Sequence, residues 1–332
     1  MRVVAIEEHV GSPELMSRIP SGRIESRGWG SLDALPPIYR EFARRLAEGG
    51  DARIAEMDRD GVDMQVLSVT GPGADLLDPD EAPSFARDYN NFVAETVKRH
   101  PARFAAFAHL PMSAPEAAAD EFERTVVEHG FCGAMVNGTT AGAFLDDRRF
   151  DPILSRAVKL DLPIYLHPAP PEEPVRQAYY GRLPGPAGPL LATAGWGWHA
   201  ETALHVLRLA LSGTFDRHAG LKIVIGHMGE GLPAMLERAD GVMSKAMRGA
   251  MDRSVSETIL DHVMVTTSGF VAGAAFDALL ATFGPRRIMF GIDYPYSPGG
   301  PQVEFLKAMP LPEDAVCGIA HANAEALLKL SG

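Results

Sequence analysis

Cysteine is scarce in this chain: 332 residues contain two, Cys132 and Cys317. They form no CxxC pair and no disulfide-rich spacing, so a reducing cytoplasm is the natural setting. Long hydrophobic runs are also missing. The apolar stretches are strand-sized, far below the roughly 20 residues a membrane-spanning helix needs. The opening MRVVAIEEHV runs straight into a strand-like pattern and lacks signal-peptide anatomy. Positive charge is in deficit, with a formal net charge of -12. That weighs against nucleic acid or an anionic membrane as partner, since both want a basic surface. A small anionic substrate stays open, because a metal and an arginine can dominate one pocket. No low-complexity tract or linker divides the chain, so a single domain over residues 1–332 is expected.

What the chain does have is a repeated alternation of short apolar runs with helix-like stretches. Eight strand candidates stand out: Val3–His9, Met64–Thr70, Arg103–Leu110, Gly133–Thr140, Pro163–Pro168, Lys222–Met228, Val263–Gly269 and Ile288–Pro295. Between them lie helical patterns such as Phe85–Arg99, Ala114–His129, Ala200–Phe215 and Phe276–Phe283. Strand followed by helix, repeated eight times, predicts a closed (β/α)8 TIM barrel rather than a doubly wound sheet. A last helix near Glu313–Leu330 would cap the ring. Two long irregular segments, 11–50 and 168–198, follow strands and should lie over the C-terminal face, where barrel active sites are built. Within the first, Ile38–Ala47 reads as helical. The second carries Tyr179, Tyr180, Trp196 and Trp198.

Side chains on a strand alternate faces, so Val3, Ala5, Glu7 and His9 are expected to share one face and Val4, Ile6 and Glu8 the other. If Glu7 and His9 point inward, two metal-capable groups stand side by side at the end of the first strand. The fifth strand ends in His167, the sixth in His227 and the eighth in Asp293. A histidine closing an apolar strand is costly unless its ring nitrogens are satisfied. Each residue alone has an ordinary explanation: a surface charge, a hydrogen-bonded rim histidine, a turn aspartate. Together they fall at strand termini that converge on one mouth of a barrel, and one shared site accounts for all of them. Two imidazoles with two carboxylates suit one divalent ion per chain, manganese or zinc, with magnesium less suited to nitrogen ligands. A binuclear centre would need a bridging lysine on the fourth strand, and Gly133–Gly138 offers none.

With these residues in place the chain resembles the amidohydrolase superfamily, and within it the non-oxidative aromatic-acid decarboxylases of the γ-resorcylate (2,6-dihydroxybenzoate) and 2,3-dihydroxybenzoate type. The resemblance runs through Glu7-Glu8-His9, Arg103–Ala108, Gly133–Gly138, Tyr165–Pro168, Glu201-Thr202-Ala203, the specific run Gly226–Pro233, Thr266–Gly269, Asp293-Tyr294-Pro295 and Asn323-Ala324. It implies Glu7, His9, His167 and Asp293 as metal ligands. It further implies His227 as a catalytic histidine oriented by Glu230, with Asn137 and Arg238 touching substrate. A buried Arg238 would suit a substrate carboxylate or phenolate. This chain has Tyr294 and Tyr296 where that family usually has tryptophan and phenylalanine around the final aspartate.

The implied reaction is loss of carbon dioxide from an ortho-hydroxy aromatic acid, with Asp293 as candidate proton donor to the ring carbon. The implied partner is a small aromatic carboxylate, and the family also implies a homodimer or homotetramer. The same residues could serve a hydrolase of a lactone, ester or amide, with Asp293 as base and His227 steadying the oxyanion. Glu-x-His in place of the His-x-His typical of hydrolases favours decarboxylation. A barrel that binds metal or ligand without turnover is the third reading, and the intact set of acid, base and ligands speaks against it.

Overall fold

The computed structural model describes residues 1–29, 37–246 and 253–330. Nine short strands follow in chain order: β1 (Val4–Val10), β2 (Met64–Val69), β3 (Phe104–Ala106), β4 (Ala108–His109), β5 (Ala134–Asn137), β6 (Ile164–His167), β7 (Ile223–Ile225), β8 (Val263–Thr266) and β9 (Ile288–Met289). All pairings are parallel, in the orders β1-β2-β3 and β4 through β9. The expected strand Arg103–Leu110 is thus two pieces, interrupted at Phe107. The pieces stay in line, since Phe107 N–H donates to Leu67 and Ala108 N–H to Gly133. Ile6 N–H donates to the Phe290 carbonyl at 3.1 Å and His9 N–H to that of Tyr294 at 2.8 Å, which joins the last strand to the first. Eight strand positions therefore close into the expected (β/α)8 barrel.

Two apolar layers hold it. Val3, Ala5, Leu67, Val136, Leu166 and Ile225 belong to the layer shared with the outer helices. Val4, Ile6, Val66, Phe107, Met135, Tyr165, Val224 and Met289 fill the interior. Ala324, Leu327 and Leu328 from the helix Asn323–Leu328 pack into that interior cluster, so the C-terminal segment caps the ring as expected. It runs as one continuous helical stretch from Glu313 to Leu328, with a wider π-helical turn at Gly318–Ala322 between Glu313–Cys317 and Asn323–Leu328.

Strict alternation along β1 fails. Val4 and Ile6 are inside and Val3 and Ala5 outside, opposite to the grouping of Val3 and Ala5 with Glu7 and His9. A bulge corrects the outcome: pairing with β2 skips from Ile6↔Val66 to Glu8↔Leu67, with Glu7 at φ 84°. Two residues facing one reset the parity, and Glu7 and His9 turn inward while Glu8 turns outward towards Gln65 and Arg53.

The long segments are not irregular throughout. The first carries helices Pro13–Met16, Ser21–Arg27 and Pro37–Leu46, the last matching the helix expected at Ile38–Ala47; residues 30–36 lie outside the described ones. The second folds into helical turns at Glu173–Val175, Arg176–Tyr180 and Ala187–Ala192 and runs into the helix Gly197–Leu211. Prolines at helix starts and in the turns allow this, because helices lose nothing to proline in their first turn. Among the described residues, no helix is long and apolar enough to cross a membrane.

Candidate metal centre

Glu7, His9, His167 and Asp293 come together at the C-terminal ends of their strands, with one ligand-type atom from each lying within 4.8 Å of the others. His9 Nε2 is 3.3 Å from Asp293 Oδ1, and His167 Nε2 is 3.5 Å from Glu7 Oε1. Glu7 Oε1 and His9 Nε2 are buried with no hydrogen-bond partner. Native interiors rarely leave such atoms unpaired. Two carboxylates and two imidazoles, with orphaned lone pairs pointing at one another, fit a divalent cation in their midst.

The atoms that do not face the cation position are held from behind. Glu7 Oε2 accepts hydrogen bonds from the hydroxyls of Tyr165, Ser268 and Thr266. The ring of His9 is fixed by Ser68, whose Oγ lies 3.0 Å from Nδ1, and this leaves Nε2 for the centre. Arg53, wholly buried, donates to the His9 carbonyl and to Gln65, and Glu8 accepts the Ile292 N–H at 2.8 Å. The strand ends bearing His9 and Asp293 are therefore tied to one buried polar network. Among the described residues, nine non-glycine residues have positive φ, and four of them belong to the site: Glu7, His227, Glu230 and Asp293. Such backbone costs about 1–3 kcal/mol each and persists where surrounding contacts over-determine it.

His227 sits just past β7, its Nε2 3.7 Å from both Glu7 Oε1 and Asp293 Oδ2. Its Nδ1 meets Glu230 Oε1 at 2.9 Å. The residue before it has to be glycine, since a Cβ on Gly226 would lie 2.6 Å from Glu7 Oε2. Burial pushes the Glu7 carboxyl up from its ordinary range, and the Asp293 charge adds to this. Burial opposes charge on His227, yet the carboxylates of Glu7 and Glu230 override it and hold that ring well above its usual range. Asp293 shows the converse: burial alone would raise it, but the His227 and His9 rings beside it bring it well below the ordinary carboxylate range. Burial pushes His167 well below its usual value, keeping a neutral imidazole of the kind that ligates metals.

Asn137 ends β5 in register with His167 on β6, buried, with its side-chain oxygen unpartnered. Arg238 does not join the site. It lies exposed beside exposed Glu237 on the helix Leu232–Ala246, whose inward contacts are made by Leu232 and Leu236. The buried arginine that the family likeness implies is therefore absent from this position in the single chain. Tyr294 faces away from the centre, under Arg53 and Arg45 at 4.1 and 4.6 Å from its ring centroid. Tyr296 is the aromatic beside the centre, 5.8 Å from the His9 ring and 5.2 Å from Phe42. The two long segments meet where Trp29 approaches Trp198 at 5.9 Å. A separate cleft of about 540 Å³ is lined by Arg23, Arg27, Asp75, Thr139 and Glu172 among others, and none of the cluster residues lines it.

Sequence reasoning assigned no role to Tyr165, Thr266, Ser268 and His199. The first was legible: it stands two residues before His167 and so shares its inward face. Thr266 and Ser268 carry the same spacing at the end of β8. No spacing marks His199, which reaches Glu230 from another segment of chain.

A parallel barrel with Glu, two His and Asp converging at its mouth defines a metal-dependent enzyme of the amidohydrolase type. Residues 14–330 match the Amidohydro_2 (amidohydrolase) family model, and the chain belongs to that family. It is 34% identical to a γ-resorcylate decarboxylase of Rhodococcus jostii, over 98% of each chain. A crystal structure of 5-carboxyvanillate decarboxylase from Sphingomonas paucimobilis superposes with a TM-score of 0.89, at 32% identity and 99% coverage of each. Another, of a dihydroxybenzoic acid decarboxylase from Polaromonas with bound manganese and 2-nitroresorcinol, does so with a TM-score of 0.85. It is 32% identical and covers 99% of this chain and 97% of its own. The chain is a carboxy-lyase of the amidohydrolase superfamily.

Proposed function

We propose that the chain removes carbon dioxide from a benzoate bearing a hydroxyl ortho to its carboxylate, with one manganese or zinc ion held by Glu7, His9, His167 and Asp293. The observation that carries this is the buried, unpartnered pair Glu7 Oε1 and His9 Nε2 within a four-residue cluster at the barrel mouth. When bound, the ion supplies Lewis acidity towards the ortho oxygen and a template for the substrate.

The balance is ArCO2− + H+ → ArH + CO2. Direct loss of carbon dioxide would leave a carbanion in an sp2 orbital outside the ring π system. Protonating the carboxylate-bearing carbon first breaks aromaticity, and the C–C bond then parts with its electrons returning to the ring. Asp293 is the proposed donor to that carbon. At rest it is ionised, so it takes its proton from His227, whose Nε2 faces its Oδ2. Glu230 keeps the His227 ring turned towards the centre. Asn137 supplies a buried amide to the substrate, and Tyr296 an aromatic edge over the ring.

The homodimer or homotetramer belongs to the proposal too, supported by Met235, Val242 and Met243 exposed along one helix. The free cysteines Cys132 and Cys317 support a reducing compartment, the cytoplasm. The test is a panel of dihydroxybenzoates and aryl lactones in 18O-water, with metal content measured. Carbon dioxide release without label in an acid product is expected. Label entering the product acid, with no carbon dioxide, would establish the hydrolase instead.

A further inference from the structure

The Glu230 carboxylate has two oxygens, and His227 uses one. The other, Oε2, lies 2.6 Å from Nδ1 of His199, the third residue of the helix Gly197–Leu211. The two imidazole rings stand 4.7 Å apart at 66°, with Glu230 wholly buried beside them. Nitrogen and oxygen atoms here are close enough for a cation. Each nitrogen, however, faces its own carboxylate oxygen at hydrogen-bond distance, so a proton rather than a metal sits in each gap. On its far side, His199 Nε2 lies 3.1 Å from both the Trp198 indole nitrogen and the Ala194 carbonyl oxygen. An ionised carboxylate only accepts, so Nδ1, the atom aimed at Glu230, carries a proton.

We propose that His199 is a positioning residue for the decarboxylation: it clamps the second oxygen of Glu230, so that Glu230 holds the His227 ring in one orientation. Without this donor, Oε2 is a buried, unpaired carboxylate oxygen, and the side chain turns to share its remaining donor or takes up a proton. Either change releases Nδ1 of His227, and Nε2 is no longer held facing Asp293. The clamp comes from the segment over the mouth, while its target follows β7. Ordering of that segment and the aim of the catalytic histidine are therefore one event. The inference rests on the reaction proposed above.

The test compares His199→Ala with His199→Asn in the full, metal-loaded protein. The asparagine amide reaches roughly the position of Nδ1 and can donate to Glu230. His199→Ala is expected to lower kcat about tenfold or more with KM within about twofold, and His199→Asn to recover most of the loss. The second readout is the 15N spectrum of histidine-labelled, zinc-loaded protein, with His227 assigned by difference against His227→Gln. A single set of His227 signals with a protonated, hydrogen-bonded Nδ1 is expected in the parent and in His199→Asn, and a shifted or doubled Nδ1 signal in His199→Ala. Full kcat in His199→Ala, an asparagine variant no better than alanine, or unchanged His227 signals in His199→Ala would each overturn the clamp. If the parent releases no carbon dioxide the reaction fails, while the nitrogen spectra still decide the clamp.

Discussion

Tyr165→Phe isolates how much the residues behind the ligands contribute to metal binding. The change removes one hydroxyl and leaves the ring, which is buried among Phe107, Met135 and Val224, so no cavity of consequence opens. The lost group donates to Glu7 Oε2, the oxygen turned away from the centre. Ser268 and Thr266 remain as donors, so Glu7 is loosened rather than abandoned. A hydrogen bond to a charged acceptor contributes about 1.5–3 kcal/mol. At about 1.4 kcal/mol per decade, manganese affinity should fall roughly 10- to 100-fold, the usual range for residues that orient a ligand. Competitive chelator titration of purified variants reads this directly. Tyr89→Phe is the control: its hydroxyl is equally buried but accepts the Ser12 N–H, far from the ligands in sequence and network. Its manganese affinity should match the parent. An unchanged affinity in Tyr165→Phe, or an equal drop in Tyr89→Phe, would refute the reasoning.

Asp293→Asn should cut kcat by about 100-fold or more, even in preparations whose metal content is restored, because an amide cannot deliver the proton. Full turnover with metal retained would remove Asp293 from the proton path. Glu8→Ala strips the Ile292 N–H and Gln65 of their buried acceptor, costing about 1–3 kcal/mol for each group left unpaired. A lowered denaturation midpoint and lowered kcat are both expected, while Glu8→Gln should be milder. Chelation should lower the melting temperature and manganese restore it, by about 2.7 kcal/mol at a hundredfold excess over Kd. Calorimetry with and without chelator checks this. Stability should also fall on acidification. Burial pushes His109 down to about 4 from its ordinary 6.5, and its neutral Nε2 accepts the Ala74 N–H. A lowered folded-state pKa means that this stability is present above about 6.5 and lost as pH falls through about 4. The span is worth roughly 3 kcal/mol. His205, pushed down to about 3 and accepting the Leu145 N–H, acts with the same sign. An unfolding free energy flat between pH 7 and 4 would contradict both.

Local pattern alone was enough for the barrel, and for His167 and Asp293 as rim residues. Parallel strands covered by helices must be apolar runs, and a polar residue ending such a run can only stand at the strand's C-terminal rim. The same local rule misread β1, because periodicity cannot show a bulge. The extra residue at Glu7 is absorbed by a left-handed backbone held in place by Tyr165, Ser268 and Thr266, which come from β6 and the β8 end. The burial expected of Arg238 was not legible for a related reason: distance along the chain from His227 does not say which face of a helix meets the core, and Leu232 and Leu236 take that face in the single chain. His199 carried no signal at all, since its partner lies 31 residues away and only folding of the intervening segment brings them together. Thus the sequence by itself determined the kinds of chemical group available and the strand ends that bear them. The tertiary structure decided their aim, because orientation depends on hydrogen bonds between residues far apart in the chain, and these exist only once the barrel has closed.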